Sequence, residues 1–249
     1  MTNLSPLAWS LLLGTAAAAA NILGGLLVVA RRQWNDNLLK SFIALGAGFM
    51  LAATFLKMLP ESMKMSAQAP VLILAGYFVV HFFEHTLAPH FHFGEEVHDD
   101  LMVNPAVGFS ALVGLSIHTF FDGVSIASGL LISVPLGLLI FCAVALHKIP
   151  EGFTVASIAL ASGRGKQGAL TASAVLAAAT LLGVLFMNRF PGAVGYGLPL
   201  STGVTLYVAA SDLIPEVNEE RGIRMALVVF LGVALFYGTE RILEILVGT

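Results

Sequence analysis

The reading of the fold turns on a motif that occurs twice: His118-Thr-Phe-Phe-Asp122-Gly123 and His147-Lys-Ile-Pro-Glu151-Gly152, each inside an apolar run long enough to cross a bilayer. Residues four apart on a helix stand one above the other on the same face. Each run therefore aims one imidazole and one carboxylate in a single direction. An ionisable side chain at the bilayer centre costs roughly 2.5–3.5 kcal/mol on insertion scales, so four in two adjacent spans require a bound partner that offsets the cost. A divalent cation is such a partner.

The composition fits that setting. Of the 249 residues 57% are hydrophobic and 11% charged, with a mean hydropathy of +0.90, whereas soluble domains carry about 25% charged residues. Runs of about 20 apolar residues, the length a tilted helix needs to cross hydrocarbon, lie near 7–30, 38–59, 70–88, 105–131, 135–161, 167–187, 193–213 and 223–247. The expected fold is an all-α polytopic membrane protein of eight transmembrane helices, because unpaired backbone groups cannot face lipid and no alternating barrel pattern appears. No Lys or Arg precedes the first run, which reads as a retained span rather than a signal peptide. Residues 1–249 are expected to form a single transmembrane domain whose longest connection is 89–104. A net charge of -3 gives no reason to expect nucleic acid. The single cysteine, Cys142, lies five residues before His147, hence on another helix face, and reads as packing.

Counting Lys and Arg in the connections sets the orientation. With both termini outside, the cytoplasmic side holds Arg31, Arg32, Lys40, Arg164, Lys166, Arg221 and Arg224, and the outer side Lys57, Lys64, Arg189 and Arg241. The excess favours termini outside and a cytoplasmic 89–104 loop. Lys148 belongs to neither side, since it stands in mid-membrane beside His147.

Compared with itself, the chain aligns His118, Asp122, Gly123, Ser125, Ala127 and Ser128 with His147, Glu151, Gly152, Thr154, Ala156 and Ser157, 29 residues later. Adjacent spans run in opposite directions, so this is an inverted pair. A weaker match aligns Met58-Leu59-Pro60-Glu61 with Leu213-Ile214-Pro215-Glu216. Inverted internal repeats with a polar site between them are a transporter feature.

Two imidazoles and two carboxylates, without thiolate, suit a borderline first-row dication, zinc above all; calcium and magnesium prefer oxygen alone. His118, Asp122, His147 and Glu151 are the expected metal ligands, near the bilayer midplane. Pro150 removes a backbone donor and is expected to loosen the fifth helix there. Gly123, Gly152, Gly129 and the serines around them provide small faces for close helix contact.

Further polar groups suggest a path away from the centre: His81, Glu84 and His85 in the third span, Asp212 and Glu216 in the seventh. The loop adds His90, His92, Glu95, Glu96, His98, Asp99 and Asp100. On the other side Lys57 and Glu61 are spaced to pair at i,i+4, and Glu240, Arg241 and Glu244 form an interfacial charge cluster.

At these residues the chain resembles the ZIP (Zrt- and Irt-like) family of divalent-metal transporters, whose fourth and fifth spans carry His-Asn-x-Pro-Glu-Gly-like motifs. The resemblance extends to the eight spans, the His-bearing loop after the third, Leu-Pro-Glu-Ser at 59–62 and Ser-Asp-Leu-Ile-Pro-Glu at 211–216. It implies that His118, Asp122, His147 and Glu151 bind transported metal, which moves from outside into the cytoplasm. The chain departs from the family in three ways. Thr119 stands where many members have Asn, Lys148 where many have an acid, and Phe121 and Asp122 where Pro and Glu are usual. A lysine in place of an anionic ligand repels a second dication, so one metal is expected at the centre, with Lys148 and Thr119 tuning the site.

No cofactor is expected; zinc or another divalent metal is the substrate, with iron or manganese as the alternatives to zinc. Metal ions, membrane lipid and a second copy of the chain are the partners such a sequence admits, in a bacterial cytoplasmic membrane. A membrane-embedded metal hydrolase would use the same ligand types but needs an open coordination position and a separate base. A haem protein with axial His118 and His147 leaves Asp122 and Glu151 without a purpose.

Overall fold

Every regular element among the described residues of a computed structural model, 5–30, 36–87, 105–220 and 222–247, is helical. Eight helical stretches in them are long and apolar enough to cross a membrane: Pro6–Ala30, Lys40–Met65, Ala69–Thr86, Leu112–Ile132, Val134–Ala161, Gly165–Arg189, Pro191–Asn218 and Ile223–Leu246. The chain is an integral, multi-pass membrane protein with these as its first to eighth spans. The His- and acid-bearing loop at 89–104 lies outside the described residues.

The second and seventh spans run further than their apolar runs suggested. Those runs stop at 59 and 213, next to Pro60 and Pro215, yet both helices continue past the prolines, to Met65 and Glu219. A π-turn makes this possible, over Thr54–Met58 in one span and Val208–Leu213 in the other. The amide of Leu59 bonds the Thr54 carbonyl, and that of Ile214 the Ala209 carbonyl, one residue beyond the α spacing. Proline has no N–H and crowds the carbonyl four residues back, so the wider turn carries the chain past it into a fresh α-helical first turn. The fifth helix behaves otherwise: Val134–Ala161 is unbroken through Pro150. The expected loosening is absent because the residues around it, His147, Lys148, Glu151 and Gly152, are all buried against neighbouring helices.

Glycine sets how the spans pack. Helices in lipid associate by close contact rather than by expelling water, which favours small residues at their crossings. Gly24 faces the Ile149 carbonyl oxygen while Gly152 faces that of Asn21, which clasps the first span to the fifth. Gly183 against Phe120 and Gly123 against Thr180 clasp the sixth to the fourth in the same reciprocal way. Gly76 with Leu200 and Gly203 with Ile73 join the third and seventh; Gly48 with Val229 and Gly232 with Leu45 join the second and eighth. At every one of these positions a Cβ would overlap a backbone oxygen, so no other residue permits the approach. Gly123 and Gly152, and likewise Phe120 and Ile149, hold equivalent places in the 29-residue similarity.

Two groups of helices result. The first, fourth, fifth and sixth spans pack on one another, while the third packs on the seventh and the second on the eighth. The groups meet where the second span touches the fifth and the fourth touches the seventh. Ile43, Ala47 and Met50 of the second span share one apolar core with Leu139 and Ala143 of the fifth, and Cys142 packs at its edge as expected.

Candidate metal centre

Because their clasps hold the fourth and fifth spans in fixed register, the two His-x3-acid faces turn toward each other. His118, Asp122, His147 and Glu151 are 3%, 1%, 2% and 1% exposed, and one ligand atom from each lies within 4.8 Å of all the others. Among the described residues no other group of three or more His, Cys, Asp or Glu is gathered in this way. Asp122 is the hub. Its Oδ2 lies 3.1 Å from His118 Nε2 and 3.3 Å from His147 Nε2, and the two imidazole rings stand 5.5 Å apart, inclined by 33°.

The hydrogen bonds orient these groups. His147 Nδ1 donates to the Ala143 carbonyl at 3.1 Å, one turn back on its own helix. In a neutral ring that assigns the lone pair to Nε2, which faces a carboxylate oxygen. Two lone-pair atoms aimed at each other are held apart by repulsion unless a cation or proton lies between them. Asp122 Oδ1 has no hydrogen-bond partner although it is buried, and His118 Nε2 has none beyond its 3.1 Å approach to Asp122 Oδ2. Buried polar atoms of this kind are uncommon, and these two belong to one cluster whose chemistry is that of a borderline dication site.

Lys148 completes the centre from within. Its Nζ lies 2.6 Å from Asp122 Oδ2, 2.5 Å from Glu151 Oε2 and 3.2 Å from Thr119 Oγ1, and none of its surface is exposed. The Thr119 hydroxyl donates to Glu151 Oε1. Each carboxylate thus meets the lysine inside the cluster.

The third and seventh spans form a second polar group, which reaches toward the first. The rings of His81 and His85 lie 4.0 Å apart. Glu84 lies beside the Tyr207 hydroxyl and is near enough to His118 and Asp212 to interact with them as charges. Asp212 is 2% exposed and sits within the π-turn, so its relation to Glu216 is not the regular i,i+4 face the spacing suggests. Tyr77 links the same two spans by an edge-to-face contact with Tyr207, ring centroids 4.9 Å apart, and by a 2.9 Å hydrogen bond to Ser211. Neither tyrosine stands out in the sequence, since an aromatic in an apolar run is ordinary. Asn21 was also missed. Its amide is fully buried, neither atom is hydrogen-bonded, and its backbone carbonyl meets Gly152; a lone amide in an Ala- and Leu-rich span was the available signal.

At the opposite end, one expected pairing is wrong. Lys57 does not pair with Glu61 but with Glu240 of the eighth span, at 2.5 Å, and Glu61 pairs with Lys64 at 2.7 Å. Lys57 lies in the π-turn, whose extra residue rotates it off the face that Glu61 occupies. Arg241 and Glu244 do pair, at 2.8 Å. Lys57, Glu61, Ser133, Leu136, Glu240 and Glu244 line a cavity of about 220 Å³ between the second and eighth spans and the hairpin of the fourth and fifth.

Comparison with known proteins follows the same residues. The curated relatives include the zinc transporter ZIP13 homolog of Drosophila melanogaster, 30% identical over 139 residues that make up 51% of this chain and 39% of that protein. Zinc transporter ZIP13 of Pongo abelii is 30% identical over 119 residues, 45% of this chain and 36% of that protein. The Rattus norvegicus ZIP13 is 31% identical over 119 residues, 45% and 33% of the two chains. The matches thus span only about two fifths or less of those relatives. The model of the ZIP zinc transporter family, by contrast, matches residues 93–240, more than half of the chain and both motif-bearing spans. With the duplicated motif and the clustered His and carboxylate groups inside that match, the chain belongs to the ZIP zinc transporter family.

Proposed function

We propose that this protein carries a divalent transition metal, zinc first, across its membrane into the cytoplasm. The observation that carries the reading is the midmembrane cluster, in which two imidazole nitrogens and two carboxylate oxygens lie within 4.8 Å of one another, buried and only partly hydrogen-bonded. His118, Asp122, His147 and Glu151 are the ligands of the transported ion. One ion is bound at a time, with the Lys148 ammonium where a second cation would otherwise balance Asp122 and Glu151, and Thr119 steadying both. Inward direction and zinc as substrate come from the family to which the chain belongs.

Transport proceeds by alternating access. All four ligands stand on the fourth and fifth spans, inside the group of four helices that pack on one another, so motion of that group against the other four carries the site with it. The matched glycine clasps and the paired π-turns support an architecture of inverted repeats, with one transmembrane domain and both termini outside. Release follows His81, Glu84, His85, Asp212 and Glu216, with the 89–104 loop on the cytoplasmic side. A hydrolase is disfavoured because it needs a general base separate from the ion's ligands, and all four groups of the cluster are taken up as ligands in this reading.

Uptake of Zn, Fe, Mn, Cd and Co into proteoliposomes tests the reading, with His147→Ala and Glu151→Ala as controls. Saturable zinc uptake that both variants abolish is expected; equal flux in wild type and variants refutes the site. Metal counting on purified protein tests the stoichiometry. One ion per chain is expected, and two tightly held ions, both lost in His118→Ala, refute it.

A further inference from the structure

The fourth and sixth spans run in the same direction and are clasped where Gly123 meets Thr180 and Gly183 meets Phe120. Helices that touch at one crossing separate on either side of it. Toward their N-terminal ends the opening is a groove of about 550 Å³, between Phe109, Val113 and Phe120 of the fourth span and Val175, Ala179 and Leu182 of the sixth. Phe109, Val175 and Leu182 are exposed, so the groove faces the membrane. Among the described residues Ser116 is the only polar side chain lining it, and its hydroxyl donates to the Leu112 carbonyl at 2.6 Å. A polar ligand finds no free partner there. From Phe109 to Phe120 the helix rises about 16 Å, one leaflet of a hydrocarbon layer roughly 30 Å thick. With that length the volume gives a width of about 6–7 Å, whereas a helix is about 10–12 Å across. A single hydrocarbon chain fits; a helix of another protein does not.

The N-terminal end of the groove is basic. Arg164, the exposed residue that precedes the sixth span, lies 11, 15 and 18 residues before Val175, Ala179 and Leu182, spacings that place all four on one helix face. Gly168 shares that face, and the Arg164 stem fills the room its missing side chain leaves: Cβ, Cγ and Cδ all lie within 4 Å of the point a Cβ would take. Among the described residues Arg164 enters no ion pair. Lys166, also exposed, stands two residues on and therefore on the opposite face. We propose that the groove is a phospholipid site, in which one acyl chain of an anionic phospholipid lies between the fourth and sixth spans and its phosphate is held by Arg164. A guanidinium binds phosphate through paired N–H groups, and a headgroup without its own ammonium leaves that contact uncontested. In the orientation proposed above this is a lipid of the cytoplasmic leaflet. Phe109, Val113 and Phe120 occupy the face of the fourth span opposite His118 and Asp122, so the lipid backs the helix that carries two of the metal ligands.

The test is native mass spectrometry of the purified full chain in detergent, equilibrated with equal amounts of palmitoyl-oleoyl phosphatidylglycerol and phosphatidylcholine. One retained lipid per chain is expected, with phosphatidylglycerol preferred about fivefold, the selectivity that one basic side chain gives at a membrane surface. Arg164→Gln should lose the preference. Lys166→Gln removes the same charge from the opposite face and should keep it. Ala179→Phe fills the groove and should release the lipid altogether. The proposal is overturned if the wild type retains no lipid or takes both equally, or if the preference survives Arg164→Gln or falls as far in Lys166→Gln. Retention of the lipid by Ala179→Phe also overturns it. A wild-type dimer that Ala179→Phe dissociates would assign the groove to a second copy of the chain and refute the lipid. Should Ala179→Phe not fold, the two charge variants still decide.

Discussion

Replacing Lys148 by Met keeps a similar volume and flexible stem but removes the ammonium that Asp122 and Glu151 share. Both carboxylates are 1% exposed, so neither gains water in exchange. Removing one partner of a buried ion pair costs about 3–5 kcal/mol because it strands an uncompensated charge. A cation shared by two acids puts this substitution in the upper part of that range. At about 2–4 °C per kcal/mol for a chain of this size, the metal-free melting temperature should fall by about 8–20 °C. The single cysteine provides the assay: Cys142 is partly buried against the apolar core, so a thiol-reactive fluorophore reports its exposure on heating. Zinc should restore more stability to the variant than it adds to the wild type, since the dication then supplies the missing charge. At 100 times its dissociation constant, binding alone contributes about 2.7 kcal/mol. A metal-free variant melting within about 2 °C of the wild type, the range of an inert surface change, would refute the view that Lys148 balances two ionised acids.

Three further outcomes follow from the same geometry. Asp122→Asn should abolish measurable zinc binding by calorimetry, because Asp122 Oδ2 is the atom that both imidazoles approach; retention of wild-type affinity would contradict its place as the hub. Thr119→Val removes the donor to Glu151 Oε1 and an acceptor for Lys148, and leaving those groups unsatisfied should cost about 1–3 kcal/mol, read as a zinc affinity at least roughly fivefold weaker. Gly152→Ala sets a Cβ 2.8 Å from the Asn21 carbonyl carbon and should destabilise by about 1–3 kcal/mol; Gly238→Ala, with nothing within 4 Å of the added carbon, is the matched control and should melt with the wild type.

Much of this could be read along the chain because membrane helices are local objects. Hydropathy over about 20 residues finds a span whatever it packs against, and all eight runs correspond to helices. The His-x3-acid spacing is likewise a property of one helix, so the convergence of His118 with Asp122 and of His147 with Glu151 was legible before any contact was known. The failures lie where a local rule meets a distant partner. The apolar runs stop at 59 and 213, beside Pro60 and Pro215, whereas a π-turn in each span lets the helix continue past its proline. The same turn took Lys57 away from Glu61 and left it facing Glu240, which is 183 positions further along and invisible to any i,i+4 rule.

What the sequence by itself determined is therefore the class of the protein and the chemistry of its centre: eight apolar helices, and two imidazoles with two carboxylates in the middle of adjacent ones. Only the tertiary structure decided how that centre is held and charged. Reciprocal contacts between glycines and backbone carbonyls fix the register of the fourth and fifth spans against their neighbours, and such contacts depend on pairs of residues far apart in the chain. The sequence also contained Lys148, but as a charge of unknown direction. Its three contacts, to Asp122, Glu151 and Thr119, exist because the packed helices leave the ammonium no route to water, and that enclosure makes it part of the site.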